Sequence, residues 1–304
     1  MKKVKIGNDI IASAISMGCW RYGEIDVPTA TALTQTALDC GIDFFDTADI
    51  YGGGKAEELL GEAIQTLGVR DEIMVQTKCG IRPGMFDFSK EHIINSVNGS
   101  LKRLKTDYID VLLLHRPDTL VEPEEVASAF DELKVAGKVR HFGVSNQNPM
   151  QIELLKTALN VPLIANQLQF SLTNSSMIDC GLNVNMEHDP ALNRDGGVLE
   201  YCRIKGMTIQ AWSPLQYGVF KGTFLDDYEQ FPELNKTLDK FAQEKGVSKA
   251  AIAFAWVLRH PANMQVIAGT TKPERLREIC RSTDITLSRA EWYELYISAG
   301  NWLP

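Results

Sequence analysis

Eight apolar, β-rich runs that alternate with amphipathic helical segments constrain this chain more than any other feature. The runs begin near Ala14, Ile42, Ile73, Ile109, Val139, Leu163, Met207 and Met264. In 55–67 the apolar positions Ala56, Leu59, Leu60, Ala63, Ile64 and Leu67 form the i, i+3, i+4, i+7 stripe of a helix buried on one face. Segment 89–104 opens on Ser89 as an N-cap and carries Ile93, Ile94, Val97, Leu101 and Leu104, while 124–136 stops at Gly137. The run Val111-Leu112-Leu113-Leu114 is continuously apolar, as parallel strands covered on both faces are. The pattern predicts a closed (β/α)8 TIM barrel. An open doubly wound sheet would need a glycine-rich dinucleotide turn after an early strand, and the sequence has none. Ahead of the first barrel strand, Val4 to Ile11 reads as a hairpin with Gly7-Asn8 or Asn8-Asp9 in its turn.

No linker or low-complexity tract divides 1–304, so the chain reads as a single domain, and its 44% hydrophobic content is enough for a large core. A net charge of -8 argues against a nucleic-acid partner, because phosphate binding needs clustered Lys and Arg. No apolar run approaches the ~18 residues of a membrane span, and the N-terminus lacks a secretory stretch, so a cytoplasmic protein is expected. The cysteines Cys19, Cys40, Cys79, Cys180, Cys202 and Cys280 lack C-x-x-C or paired-histidine spacing, which points to reduced thiols and no metal. His141 and His188 read as surface or satisfied residues. Segment 171–197 lacks periodicity, and its few apolar residues suggest a mobile lid or side wall with little burial.

Ionisable residues recur at the ends of three consecutive strands. Asp46 ends Phe44-Phe45-Asp46 with Tyr51 in the loop beyond, Lys78 ends Val75-Gln76-Thr77-Lys78, and His115 ends Leu112-Leu113-Leu114-His115. In a barrel these ends open on one rim, where active sites are built. A tyrosine keeps its proton at neutral pH, and a nearby ammonium stabilises the phenolate it becomes, lowering its pKa toward the working range. Lys78 is expected to supply that field, Asp46 to hold Lys78, and His115 to position a carbonyl oxygen. Gly52-Gly53-Gly54-Lys55 lacks the spacing and hydroxyl of a phosphate loop and reads as a flexible turn.

These residues carry a resemblance. Asp46-Thr47-Ala48-Asp49-Ile50-Tyr51-Gly52, Lys78-Cys79-Gly80, Leu113-Leu114-His115-Arg116-Pro117-Asp118 and Gly143-Val144-Ser145-Asn146 are similar to the aldo-keto reductase family, in order and over nearly the whole chain. The resemblance implies an NADPH/NADP+-dependent reductase of a small-molecule carbonyl, with Asp46, Tyr51, Lys78 and His115 as catalytic residues and Tyr51 as general acid. Ser145, Asn146 and Gln167 resemble the residues that hold the nicotinamide carboxamide, and Trp212 the aromatic that stacks on its ring. Gly18, Cys19, Trp20 and Asp46 complete the nicotinamide end. Ser213, Pro214, Leu215, Gly218 and Lys221 resemble the pyrophosphate clasp. Gly269, Thr270, Thr271, Lys272 and Arg275 open a helix suited to the 2′-phosphate, and Glu278 is left to read the adenine because Ile279 stands where many relatives have Asn. Trp20, Tyr51, His115 and Arg116 are the expected substrate contacts, and Trp20, Tyr22, Phe86 and Phe88 suggest an aromatic pocket mouth. The alternative on the same fold is a cofactor-sensing regulatory subunit of a membrane channel. The substrate and oligomeric state stay open.

Overall fold

In the computed structural model, which describes every residue except Asp9, Phe220 and Pro304, the eight runs close into one parallel barrel. An antiparallel hairpin, β1 (Lys3–Ile6) and β2 (Ile10–Ser13), precedes it. The barrel strands are β3 (Ile15–Gly18), β4 (Phe44–Asp46), β5 (Met74–Cys79), β8 (Ile109–Leu114), β9 (Val139–Ser145), β10 (Leu163–Gln169), β11 (Thr208–Trp212) and β12 (Gln265–Ala268), while β6 (Ile81–Arg82) and β7 (Met85–Phe86) form a small hairpin on the rim. Each strand pairs in parallel with its neighbours in chain order, and β12 returns to β3. The surrounding helices are α1 (Val27–Asp39), α2 (Lys55–Leu67), α3 (Lys90–Leu104), α4 (Pro123–Val135), α5 (Pro149–Lys156), α6 (Ser176–Leu182), α7 (Val198–Lys205), α8 (Pro232–Lys245), α9 (Lys249–Leu258), α10 (Pro273–Cys280) and α11 (Arg289–Ser298). Among the described residues no helix is long and apolar enough to cross a membrane.

The local signals act where they stand. α2 buries Ala56, Leu59, Leu60, Ala63 and Ile64, and the side chain of Ser89 caps α3 by accepting from the His92 amide. The first hairpin covers the barrel floor: Val4, Ile6 and Ile10 pack with Phe44, Val111, Leu113 and Ile164. Gly7 permits this, because it takes φ +60 and a Cβ there would sit 2.8 Å from Ile164 Cβ. Asp9, a residue of the alternative turn, lies outside the described residues. The rim hairpin β6–β7 was not expected, although Pro83-Gly84 between its strands is a type II turn signal and Gly84 has φ 76.

Two expectations are corrected. Segment 171–197 is not a loosely held lid over its whole length. Leu172, Met177 and Ile178 join the main core, Tyr296 donates to Asp179 Oδ1 at 2.7 Å, and Asn301 donates to the Leu172 carbonyl at 3.1 Å. The short helix α6 buries apolar residues without needing a long stripe, which is why periodicity missed it; Val184 and Leu192 beyond it are exposed. The aromatic mouth also divides. Tyr22 and Phe88 are buried in the core while Trp20 and Phe86 are exposed, because Tyr22 bonds Thr34 and Phe88 packs under Gly80.

Candidate active site

β4, β5 and β8 bring Asp46, Lys78 and His115 to one end of the barrel, and the turn after β4 returns Tyr51 to them. That turn, Tyr51–Gly54, places Gly52, Gly53 and Gly54 at φ 58, 64 and 94, a left-handed run that residues with a Cβ resist. The triple glycine is therefore a shaped corner that aims the phenol. Lys78, fully buried, donates from Nζ to Asp46 Oδ2 at 2.9 Å, to the Thr47 carbonyl at 2.7 Å and to Tyr51 Oη at 3.3 Å. The Tyr51 and His115 rings meet edge-on with centroids 5.6 Å apart.

Electrostatics define the protonation states. Burial alone would lower Lys78, but Asp46 and Tyr51 outweigh it and hold the ammonium above its ordinary pKa. Burial raises Tyr51, and although Lys78 pulls the other way the phenol stays above its usual value. The expected downward shift is not found, since desolvation of a buried phenolate exceeds the lysine's attraction. His115 is pushed well below its ordinary range by burial, then by Lys78 and Arg116, so its imidazole is neutral at pH 7. The rim thus holds a protonated phenol, an ammonium and a neutral imidazole within reach of one another. Such a set can deliver a proton and polarise an oxygen.

A chain of buried amides supports it from below, and sequence reading did not single it out. Gln76 donates from Nε2 to Asp46 Oδ1 at 2.6 Å and to Gln210 Oε1 at 2.9 Å; Gln210 donates to Gln265 Oε1 at 2.8 Å, and Gln265 to the Ser13 carbonyl at 2.9 Å. Gln167 adds a second amide to Asp46 Oδ1 at 2.9 Å. Asp46 is thereby fixed on one oxygen by two neutral donors and on the other by Lys78, a good setting for a carboxylate. The signal was available: Gln76 stands two residues before Lys78 and Gln210 two before Trp212, on the same strand faces.

Asp49 lies behind the tyrosine turn. Burial, then Glu57, lifts its carboxyl to about 7 against the opposing pull of Arg103, and its Oδ1 has no partner. Glu57 itself is buried on Thr77 Oγ1 and the Arg103 guanidinium, so one arginine serves two acids. Because the folded-state pKa lies above the unfolded one, the neutral form favours folding at low pH and that advantage is lost as pH rises from about 4 through about 7. Asp49→Asn is expected to gain stability over wild type, on the order of a few kcal/mol, between pH 5 and pH 8. Denaturant unfolding of both proteins across that range measures it, and parallel profiles would count against the burial argument.

The ends of β9 to β12 carry a second set of residues. Ser145 donates to the Gln167 carbonyl at 3.0 Å, Asn146 Nδ2 to Ser145 Oγ at 2.7 Å, and Trp212 Nε1 to Asn146 Oδ1 at 3.2 Å. Asn146 and Ser213 take φ 57 and 49, a costly conformation at the points where β9 and β11 hand over to their loops. Gly18, Cys19 and Pro214 are buried, the first two at the end of β3. Leu215 and Gly218 are half-buried and Lys221 exposed in a loop that Ser171 holds by donating to the Gln216 carbonyl at 2.7 Å. Segment 171–197 thus begins as a support for this loop. At the far end Gly269 is open, Thr270 and Thr271 are half-buried, and Lys272, Arg275 and Glu278 are exposed around the start of α10. Ile279 is a core residue facing away from them. Arg21, passed over in the sequence, donates to the Gly269 carbonyl at 3.1 Å and joins the first and last barrel loops. The chemistry of these residues suits a dinucleotide: an aromatic ring and amides stand at the Tyr51 end, and exposed cations at the start of α10. Cys19 and Cys79 are free thiols pushed well above their ordinary pKa by burial, which makes them poor nucleophiles.

A closed (β/α)8 barrel whose rim gathers Asp46, Tyr51, Lys78 and His115 has the build of an enzyme. The chain belongs to the aldo/keto reductase family, whose family model matches residues 14–297. It is 35% identical to a 6-dehydroglucose reductase of Agrobacterium fabrum over 98% of each chain, and 34% identical to the uncharacterized oxidoreductase YcsN of Bacillus subtilis over 97% of each. An aldo-keto reductase from Klebsiella pneumoniae, solved in complex with NADPH, superposes with a TM-score of 0.78 at 27% identity, covering 97% of this chain and 93% of that one.

Proposed function

We propose that this protein is a cytoplasmic, NADPH-dependent reductase of aldehydes or ketones, with Tyr51 as the general acid. One observation carries the reading: Lys78 Nζ lies between Asp46 Oδ2, at 2.9 Å, and Tyr51 Oη, at 3.3 Å, at the end of the barrel where substrates meet catalytic groups. When bound, the reduced nicotinamide supplies the hydride. The Tyr51 hydroxyl gives its proton to the carbonyl oxygen as negative charge develops there. Lys78 stabilises the phenolate left behind, and Asp46, anchored by Gln76 and Gln167, keeps the ammonium in place. Neutral His115 donates to the same oxygen and orients the carbonyl. Water re-protonates Tyr51 after product leaves.

Ser145, Asn146 and Gln167 would hold the carboxamide and Trp212 the ring face, with Trp20 at the mouth. Ser213, Leu215, Gly218 and Lys221 would close over the pyrophosphate, and Thr270, Lys272 and Arg275 would take the 2′-phosphate. The cofactor-sensing alternative uses the same cofactor residues but gives the buried Lys78, Asp46 and Tyr51 cluster no task. NADPH oxidation over a carbonyl panel tests the reading, with 6-dehydroglucose included because the Agrobacterium relative bears its name. Absence of turnover with every carbonyl would sink it.

Cofactor choice gives a separate check. Charge-assisted contacts are worth ~1.5–3 kcal/mol when sheltered, and exposed Lys272 and Arg275 should sit at the low end of that range. The Lys272→Ala, Arg275→Ala double variant is expected to lose about tenfold in NADPH affinity with little change for NADH. Fluorescence titration reads both; equal wild-type affinities for the two cofactors would remove this assignment.

A further inference from the structure

The rim holds a guanidinium that the chemistry above does not use. Arg116 follows His115 directly off β8, is half-buried, and has its Cζ 5.8 Å from the centroid of the Trp212 ring. It is close enough to Tyr51 and His115 to act on both electrostatically. Among the described residues no carboxylate reaches it and it donates no hydrogen bond to protein. Other sheltered arginines are different: Arg70 sits on Asp110 and Arg103 on Glu57. Asp118, the acid nearest in sequence, is committed to the amides of Phe88 and Leu120. With Lys78 neutralised by Asp46 and His115 uncharged, Arg116 leaves a net positive charge at the mouth of a protein whose overall charge is -8.

A second group points the same way. Gln169 Nε2 is buried and has no acceptor among the described residues. Gln169 lies two residues beyond Gln167 on β10, on the same strand face, and pairs in register with Trp212 of β11. A guanidinium lies over the Trp212 ring and an amide donor belongs to the residue paired with Trp212, neither with an acceptor among the described residues. Partly desolvated donors left unmatched are unfavourable, and the cost is recovered when a ligand supplies the acceptors.

We propose that Arg116, aided by Gln169, binds an oxyanion carried by the carbonyl substrate, so that the preferred substrates are aldehydes or ketones bearing a carboxylate or phosphate. This rests on the reductase reading of the rim. The planar fork matches either oxyanion bidentately, and anchoring that group holds the carbonyl against Tyr51 and His115.

The test compares kcat/KM of wild type, Arg116→Gln and Arg116→Lys on two matched pairs, succinic semialdehyde against its ethyl ester and glyceraldehyde 3-phosphate against glyceraldehyde. Wild type is expected to favour the anion of at least one pair by about tenfold or more, and the pair that responds identifies carboxylate or phosphate. Arg116→Gln should bring that ratio toward one, mainly through KM, and Arg116→Lys should restore part of it. A wild-type ratio near one for both pairs, or a ratio that Arg116→Gln leaves unchanged, overturns the proposal. A turnover-free arm keeps the two readings apart: calorimetric titration of the NADP+-loaded wild type and Arg116→Gln with succinate and with inorganic phosphate. Binding that the variant loses, in a protein that reduces no carbonyl, supports the anion site while removing the reductase reading. Reduction of neutral aldehydes with no anion preference and no anion binding does the reverse.

Discussion

Tyr51→Phe is expected to lower kcat by ~10²–10⁴ while NADPH affinity stays close to wild type. The substitution removes one oxygen, the one 3.3 Å from Lys78 Nζ, and leaves the ring against His115 in place. Fold and stability should hardly change. The loss should appear in kcat more than in KM, because the hydroxyl's interaction strengthens as charge develops on the carbonyl oxygen. Steady-state assays and cofactor fluorescence separate the two quantities. A variant retaining more than about a tenth of wild-type kcat would show that another group donates the proton.

Lys78→Met should do more than slow the reaction. Lys78 and Asp46 form an almost fully buried ion pair, and removing one member strands the other's charge, at a cost of about 3–5 kcal/mol. Gln76 and Gln167 still hold one oxygen of Asp46, but the oxygen facing Lys78 loses its donor. Asp46→Asn in the Lys78→Met background should recover part of the loss, because a neutral amide tolerates burial better than an unpaired carboxylate. Activity should fall too, with a signature of its own. Lys78 is the leading influence that lowers the Tyr51 pKa against burial, so without it the phenol moves higher still, and any alkaline limb of the rate profile shifts upward. Denaturant unfolding together with a pH-rate profile reads both effects. Unchanged stability would mean that water or a neighbour compensates the carboxylate, and a limb shifted downward would contradict the proposed role of the ammonium.

The sequence by itself determined the architecture and the chemical inventory. Hydrophobic periodicity placed all eight barrel strands, because strands covered on both faces are predominantly apolar, and it gave α2 its bounds, because a one-faced helix must carry a 3.6-residue stripe. Strand-end positions for Asp46, Lys78 and His115 followed from the same reading, since parallel strands in a barrel all end on one rim. Only the tertiary structure decided how those groups behave. Barrel closure brings Gln76 of β5 across to Gln210 of β11, which pairs with Gln265 of β12 to form one hydrogen-bonded chain, and no local pattern encodes a contact between residues 134 positions apart. Burial raised Tyr51 where charge alone had suggested lowering, because desolvation depends on everything packed around the phenol and not on Lys78 alone. It also sent Tyr22 and Phe88 into the core while leaving Trp20 and Phe86 outside, four aromatic residues that are alike in sequence and separated only by which neighbours fold over them.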